Sequence, residues 1–482
     1  MLRRAAAADP GRLALVGSDR SLTRAELLED AARLSAGLDA LRPEGSAGRP
    51  VVALCLDAAF DVARLVVAAE YGDRIVCVLD PRWPASVRLA LLLAAGADLL
   101  VTADDDLRAP LAEAGWTGRI ARLDELRGAA ASAPVVPPAD APFLLLFSSG
   151  TTGAPKAFLK TRAQYAANIA ASRAHLGAAE GVATFAPGAL SFSLTLYALF
   201  EALGTGGRMH VADSLDELWL TGRVQEEGAT RVVAVASALH ALADAADRHP
   251  DRYDGLDLVV TGGAALSPSV RSRLAASIPR AEVIAYLGAG ELGFLGDSRS
   301  DDPAITLYPH VEARIRDDDG RDVAPGGLGT LWVRSASCSD GYLPSTTTEP
   351  LTDAEGWATV HDQGRLRGRA FTFAGRRGDV ITTGGHTVAL GDVEQAFDGM
   401  PGLGAACAVA LPHERLGTVI ALVAEGAAPP KPALQAWAAE RLAPASVPRR
   451  WYALPSLPRT ASGKVRRTET AALLTDGPAV RL

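Results

Sequence analysis

Short apolar segments alternate with amphipathic helical segments along the first part of the chain, and this alternation constrains the fold most strongly. Apolar periodicity and flanking polar residues predict helices at Ser21–Leu41, Ala59–Tyr71 and Val87–Ala95. The intervening apolar runs predict strands at Val51–Leu56, Ile75–Leu79 and Asp98–Thr102. Strands that alternate with helices favour parallel sheets covered on both faces, which predicts an α/β protein with doubly wound sheets.

The same pattern continues until about Gly375–Asp379, where the chain becomes rich in glycine and arginine. Before that point, strands are predicted at Phe143–Phe147, Arg231–Val235, Leu258–Thr261 and Val283–Tyr286, and a helix at Ala163–Leu176. After it, the pattern predicts strands Val380–Thr383, Ala405–Ala410 and Thr418–Ala424, with a helix at Gly391–Phe397. We therefore expect a large N-terminal domain, residues 1–377, that includes a β subdomain, and a small mobile α+β C-terminal domain, residues 378–482.

The composition is that of a globular protein and excludes several classes. A chain of 482 residues is too long for one ordinary core, and a net charge of −8 provides no basic surface for nucleic acid. The chain has neither an apolar run long enough to span a bilayer nor a signal-peptide pattern, so a cytoplasmic enzyme is expected. The four cysteines have no metal-ligand spacing and are interpreted as reduced packing residues.

Lysine is rare in this chain, although lysine plus arginine totals 48 residues. Only Lys156, Lys160, Lys431 and Lys464 are lysines. Because arginine does not replace a compact point charge, each remaining lysine is a candidate for a site that requires one. Chance survival is the alternative, and it fits Lys431, which lies between two prolines, and also Lys160.

A loop of glycine and hydroxyl residues, Ser148–Lys156, follows the predicted strand Phe143–Phe147 and reads Ser-Ser-Gly-Thr-Thr-Gly-Ala-Pro-Lys. Glycine allows close backbone approach, the amides and hydroxyls donate to oxygen, and lysine adds positive charge. The spacing differs from that of a Walker A loop. The segment predicts a polyphosphate-binding loop.

This loop is one of seven ordered segments in which the chain resembles the adenylate-forming superfamily of acyl- and aryl-CoA synthetases, stand-alone adenylation enzymes and luciferase-like enzymes. The resemblance extends from about Ala14 to Ala472. The other six segments are Leu79–Arg88, Thr261–Pro268, Tyr286–Leu292, Gly356–Leu366, Gly375–Glu394 and Pro458–Arg467.

The resemblance implies roles for individual residues. Lys464 is expected to bridge carboxylate and phosphate oxygens, Thr151 to grip phosphate, and Glu291 to hold Mg²⁺, which favours carboxylate oxygen. Asp362 is expected to accept hydrogen bonds from ribose hydroxyls, with Arg376 beside it and Gly378 as the hinge. The remaining expected ATP or AMP contacts are Ser148, Ser149, Gly150, Thr152, Gly153, Lys156, Gly263, Ala264, Tyr286, Leu287 and Gly288.

An acyl pocket is expected near the segment Gly188–Phe200. Relatives that take α-amino acids carry an aspartate where this chain has Ser193, so a free α-amino acid is not expected. Aromatic rings beside small residues suit an aryl or unsaturated acid. The expected lining residues are Phe192, Ser193, Tyr197, Ala236, Gly262 and Phe294, with Tyr286 beside them.

Three positions depart from the family pattern. Gly290 stands where relatives have threonine or serine, Gly378 where they have a hinge aspartate or lysine, and His361 where they have glycine. The core machinery is retained, so the departures suggest an unusual substrate or second half-reaction.

The leading prediction is ATP- and Mg²⁺-dependent activation of a small carboxylic acid as its adenylate, followed by transfer to CoA or to a carrier-protein pantetheine thiol. One alternative keeps the fold but activates nitrite as an AMP ester and diazotises an aromatic amine. The other is a nucleotide-binding homologue without catalysis. Neither nucleic acid nor membrane is an expected partner.

Overall fold

The computed structural model describes residues 2–482 except 44–47, 129–130, 132, 134, 136, 149–154, 264–265, 303, 377, 384–385, 415 and 461–463. None of the described helices is long and apolar enough to cross a membrane. The four cysteines are free thiols, and three of them are buried.

The first part of the chain builds a six-stranded sheet with strand order β6-β5-β3-β4-β7-β8. The strands are parallel except for β8, which runs antiparallel to β7. The elements are α1 (Leu2–Ala8), β1 (Leu13–Val16), β2 (Ser21–Thr23), α2 (Arg24–Ala40), β3 (Val51–Cys55), α3 (Ala59–Glu70), β4 (Ile75–Val78), α4 (Ala85–Ala94), β5 (Leu99–Thr102), α5 (Arg108–Glu113), β6 (Arg119–Ala121), β7 (Pro142–Phe147) and β8 (Ala157–Thr161).

A second sheet of thirteen strands has a parallel half, β1-β10-β9-β11-β12-β13, with β2 antiparallel to β1 at its edge, and it is continued by an antiparallel β subdomain, β14–β19. Its further elements are α6 (Arg162–His175), β9 (Ala183–Ala186), α7 (Ser193–Thr205), β10 (Arg208–Val211), α8 (Arg223–Glu226), β11 (Arg231–Val235), α9 (Ala236–Arg248), β12 (Leu258–Gly262), α10 (Pro268–Ser277), β13 (Glu282–Ala289), β14 (Gly293–Ser298), β15 (Ala304–Leu307), β16 (Glu312–Arg316), β17 (Leu328–Arg334), β18 (Asp362–Arg367) and β19 (Ala370–Arg376).

The C-terminal part is a small α+β unit built on a four-stranded sheet, with a separate two-stranded ribbon of β20 and β21. Its elements are β20 (Val380–Thr383), β21 (His386–Ala389), α11 (Leu390–Ala396), β22 (Ala406–His413), β23 (Gly417–Glu425), α12 (Lys431–Arg441), β24 (Arg450–Leu454), α13 (Arg467–Asp476) and β25 (Val480–Arg481). The predicted α/β class, with a large sheet domain and a small α+β domain, is confirmed.

The C-terminal unit rests on α10. The backbone N–H and the hydroxyl of Ser269 both donate to Asp398, at 3.3 and 3.0 Å. Ser267, the N-cap of α10, accepts from the N–H of Val270 and shares a hydrogen bond with the Ser269 hydroxyl. One short polar contact therefore joins the small unit to the start of this helix.

A buried ion pair ties α7 to β11 inside the large domain. Arg231 donates to Glu201 at 2.9 Å, and both side chains are 2% exposed. Burial raises the pKa of Glu201, and the Arg231 charge acts against this rise. Since both charges are removed from water, each compensates the other, and removal of either partner would leave an unpaired buried charge that destabilises the fold.

Two differences from the predicted elements have clear local causes. The helix predicted from Ser21 begins at Arg24, because Thr23 caps it in a reciprocal arrangement with Glu26, while Ser21–Thr23 pairs with β1. After the segment Ser148–Lys156, called the phosphate-type loop below, the chain was expected to resume as a helix at Ala163. It first forms β8, whose final residue Thr161 caps α6.

Candidate active site

A carboxylate and a guanidinium face each other at the end of the β subdomain. Asp362 begins β18 and Arg376 ends β19, and the antiparallel register pairs the two residues. Arg376 Nε donates to Asp362 Oδ1 at 3.1 Å, and Asp362 is only 7% exposed. Burial raises the pKa of Asp362, while Arg376 and then Lys464 oppose this rise. Asp362 therefore accepts hydrogen bonds within a partly neutralised site.

Lys464 brings a second cation to this carboxylate from the C-terminal unit. Its backbone is held by Thr460, whose hydroxyl accepts from Lys464 N–H at 3.1 Å. The side chain reaches the end of β12, where a methyl group added at Gly263 would lie 3.8 Å from Nζ. Burial and then the Arg376 charge lower the pKa of Lys464 to about 8, and Asp362 and Glu291 oppose this fall.

Glu291 lies two residues after β13 and is 6% exposed. Tyr342 Oη donates to its Oε1 at 3.1 Å. Among the described residues no hydrogen bond reaches Oε2, and no group of three or more potential metal ligands is found. One carboxylate oxygen is thus left for a hard cation that a nucleotide would bring, which fits the one or two protein carboxylates usual for Mg²⁺.

Lys160 holds the backbone of Glu291 in place, a role that the sequence patterns did not reveal. It is 0% exposed, and its Nζ donates to the carbonyl oxygens of Glu291 at 2.8 Å and Ser337 at 2.5 Å. Burial lowers the pKa of Lys160 to about 8. Chance survival does not explain a lysine in this position. The signal in the sequence that could have indicated this role is the rarity of lysine in the chain.

The loop expected to hold phosphate is described only at its two ends. Ser148 N–H donates to the Lys156 carbonyl at 2.8 Å, and Lys156 N–H donates to the Ser148 hydroxyl at 3.1 Å. Lys156 Nζ pairs with Glu349 and lies 5.2 Å above the ring of Tyr342. Other residues expected to contact the nucleotide lie outside the described residues: Ser149, Gly150, Thr151, Thr152, Gly153 and Ala264.

Three aromatic rings from separate elements form a cluster near the space bordered by Gly263, Lys464, Asp362 and Glu291, which is called the cleft below. Phe294 meets Tyr286 edge-on at 4.8 Å and lies 5.2 Å from Tyr197. Tyr197 stacks on Tyr165 at 4.4 Å. The Tyr286 ring covers Gly262 so closely that a β-carbon there would lie 2.2 Å from it. Tyr286, expected at the nucleotide, thus lies among residues expected for the acid.

The remaining expected pocket residues lie at strand ends and helix starts around this cluster. Phe192 precedes α7 and Ser193 begins it, while Ala236 begins α9 directly after β11. Leu287 and Gly288 continue β13 towards Glu291. Residues 285–290 are all partly exposed, so this strand end is accessible from solvent.

Each of the three departures from the family pattern has a distinct structural setting. A β-carbon at Gly290 would lie 2.8 Å from both Phe158 Cζ and Ser193 Oγ, so these side chains require glycine. His361 adopts a φ of 62° and its Nε2 lies 2.6 Å from Glu349 Oε1. Gly378 has a φ of 95° and no atom near its would-be β-carbon.

Comparisons with known proteins agree with this arrangement. A family model described as AMP-binding enzyme matches residues 2–343, and one described as AMP-binding enzyme C-terminal domain matches residues 392–464.

Two curated relatives and one solved structure illustrate the likeness. The uncharacterized acyl-CoA ligase YhfT of Bacillus subtilis is 26% identical over 430 residues, which cover 86% of each chain. The salicyl-AMP ligase / salicyl-S-ArCP synthetase of Mycobacterium tuberculosis is 29% identical over 369 residues, covering 73% of this chain and 65% of the relative. The structure of o-succinylbenzoate CoA synthetase from Bacillus subtilis with its acyl-adenylate intermediate matches with a TM-score of 0.87 at 22% identity, covering 100% and 99% of the two chains. Since the first family model spans more than half of the sequence, this chain belongs to the AMP-binding enzyme family, within the adenylate-forming superfamily.

Proposed function

We propose that this chain activates a small carboxylic acid with ATP. The acid's carboxylate oxygen forms a bond to the α-phosphorus of ATP, the bond from that phosphorus to the bridging oxygen breaks, and pyrophosphate leaves. A thiolate then attacks the acyl carbon and AMP departs. The observation that carries the proposal is the convergence of Lys464, Arg376, Asp362 and Glu291 on one cleft beside Gly263.

The charges in this cleft suit the first half-reaction. An attacking carboxylate and a triphosphate bring negative charges together, so preorganised cations and donors lower the barrier. Lys464 places its ammonium between the end of β12 and Asp362, where the reacting oxygens would meet. Asp362 is placed to accept hydrogen bonds from the ribose hydroxyls. Glu291 would hold Mg²⁺, which would neutralise phosphate charge. Thr151 and Thr152 are proposed to donate to the phosphates.

The aromatic cluster supports a small, planar acid. Tyr286 covers Gly262 and is the partly exposed ring of the cluster, while Tyr197 and Phe294 are buried behind it and Tyr197 stacks on Tyr165. A tyrosine ring at this position favours an aryl or unsaturated group by stacking or edge contacts. Ser193, rather than a carboxylate, begins α7, so the site offers no partner there for an ammonium group. We infer that the substrate is not a free α-amino acid.

The domain arrangement supports a two-step cycle. We propose that residues 1–377 bind the nucleotide and acid, and that residues 378–482 form a lid that turns about Gly378 between the two half-reactions. The lid brings Lys464 for adenylation. Relatives named as acyl-CoA ligase and as salicyl-S-ArCP synthetase support either CoA or a carrier-protein pantetheine as the thiol acceptor.

The proposal is tested by pyrophosphate release from ATP and Mg²⁺ over a panel of aryl, enoyl and short fatty acids, with and without CoA. Lys464→Met should abolish acid-dependent release. Lys431→Met is the matched control: Lys431 is the first residue of α12 and lies away from the cleft, so full activity is expected. Full activity of Lys464→Met would contradict the mechanism. AMP formation that requires nitrite instead of an acid, without a thiol, would replace acyl activation by the diazotising reaction.

A further inference from the structure

His361 occupies a backbone conformation that histidine seldom adopts. Among the described residues it is the one non-glycine residue with a positive φ, 62°. For an L-residue this region costs roughly 1–2 kcal/mol relative to the right-handed one. Such strain persists where surrounding contacts hold it, and it is concentrated at functional sites. The position is also directly adjacent to Asp362.

The contacts of His361 are few and well defined. Its backbone N–H donates to the Thr359 hydroxyl at 3.0 Å, and its Nε2 lies 2.6 Å from Glu349 Oε1. Because a carboxylate only accepts, Nε2 must carry the proton. Nδ1 is shielded from solvent and has no hydrogen-bond partner among the described residues. The hydrogen bond to Glu349 is therefore the polar contact that the imidazole supplies.

Glu349 is shared between His361 and the lysine of the phosphate-type loop. Its other oxygen, Oε2, pairs with Lys156 Nζ. The hydrogen bond from Lys156, with further help from His361, lowers the pKa of Glu349 against the effect of burial. The carboxylate is thus held ionised by two donors on two different oxygens.

The contacts among His361, Glu349 and Lys156 lie next to the residues proposed to bind the nucleotide. Lys156 Nζ lies above the ring of Tyr342, and Tyr342 donates to Glu291. A triphosphate entering this cleft would compete with Glu349 for the Lys156 ammonium. If Lys156 were the sole partner of Glu349, its transfer to phosphate would leave a carboxylate that is 39% exposed with no protein donor, at a modest cost because water replaces the lysine in part.

We propose that His361 is a positioning residue for ATP: it retains Glu349 through Nε2, so that Lys156 can exchange that carboxylate for a phosphate oxygen. The inference rests on the proposed function. In it, the hydrogen bond between His361 and Glu349 determines whether Lys156 is available to bind phosphate. The strain at His361 is the cost of placing an imidazole where a glycine would leave Glu349 with one partner.

The test measures MgATP binding by isothermal titration calorimetry, without acid or thiol. His361→Gly removes the imidazole and relieves the backbone; His361→Asn also tolerates positive φ but is too short to reach Glu349. Both variants should bind MgATP about 5- to 10-fold more weakly, equivalent to the loss of one modest ionic hydrogen bond. Glu349→Gln should bind at least as tightly as wild type, because it removes the competing charge.

A double-variant cycle separates this role from a structural one. In the Glu349→Gln background, His361→Gly should cause no further loss, and thermal unfolding of His361→Gly without ligand should occur at or above the wild-type temperature. Unchanged MgATP binding by His361→Gly, or an equal loss in both backgrounds, would overturn the inference and leave the proposed function intact. Failure of the wild-type chain to bind MgATP would overturn both.

Discussion

Gly290 offers the sharpest test of how this site departs from its family. A β-carbon there would lie 2.8 Å from Phe158 Cζ and 2.8 Å from Ser193 Oγ, both closer than real β-carbon contacts. Ser193 can turn its hydroxyl away, but Phe158 is fully buried and packs edge-on against Tyr342, so its ring cannot yield. Gly290→Thr is therefore expected to destabilise the protein by about 2–3 kcal/mol, the upper part of the range for overpacking.

The compensating change is Phe158→Val, which suits a strand and vacates the space facing Gly290. Alone, it should cost about 2–3 kcal/mol, because it removes most of a buried ring. Together, the two substitutions should cost at least about 1.5 kcal/mol less than their sum, since residues in contact couple by roughly 0.5–3 kcal/mol.

The measurement is equilibrium urea denaturation of wild type, both single variants and the double variant, with pyrophosphate release measured in parallel. Gly11→Thr is the matched control, because no atom lies within 4 Å of a β-carbon at Gly11. It should change the free energy of unfolding by less than about 0.5 kcal/mol. Additive costs in the double variant, or a fully stable Gly290→Thr, would refute the claim that Phe158 dictates this glycine.

Three further predictions concern charge in the site and beneath it. Adenylation should fall as the pH rises through about 8, because Lys464 then loses its proton, whereas Lys464→Arg should be slower but should not show this fall. Glu201→Gln should cost about 3–5 kcal/mol in urea denaturation by leaving Arg231 buried and unpaired, and exposed Glu440→Gln should cost nothing measurable. Asp362→Asn should bind AMP about tenfold more weakly by calorimetry, since a charged acceptor becomes neutral. A 2′,3′-dideoxy AMP should bind wild type and this variant equally, and a difference would contradict the ribose assignment.

The periodic core elements were predictable because local patterning decides them. The strands Arg231–Val235 and Val380–Thr383 were predicted with the bounds that the structure has, and the other predicted bounds lie within three residues of the observed ones. The start of α2 was misplaced because two hydroxyl residues compete as caps, and only the partner Glu26 decides for Thr23. The strands of the β subdomain were not predicted individually, since their partners are distant in sequence.

The resemblance predicted individual residues of the candidate site but not the network that joins them. The order of the segments pointed to Glu291, Asp362 and Lys464, yet their mutual arrangement depends on how the small unit docks. The pair between Lys156 and Glu349 joins residues 193 positions apart, and Glu349 belongs to none of the recognised segments. The sequence left Lys160 between a required lysine and chance survival, since its two acceptors are backbone carbonyls, which leave no trace in the pattern of side chains.

The contact between Ser269 and Asp398 sets an energetic scale for rearrangement of the small unit. Two hydrogen bonds to a carboxylate contribute together only about 3–6 kcal/mol, and less where water can replace them. Under the proposed two-step cycle, the exchange of one bound ligand for another would have to supply differential binding of about this size, since about 5.5 kcal/mol moves a conformational ratio from 1:99 to 99:1. Under this proposal, the contact of Asp398 with Ser269 is one that ligand exchange breaks and re-forms in every catalytic cycle, so its weakness serves turnover rather than rigidity.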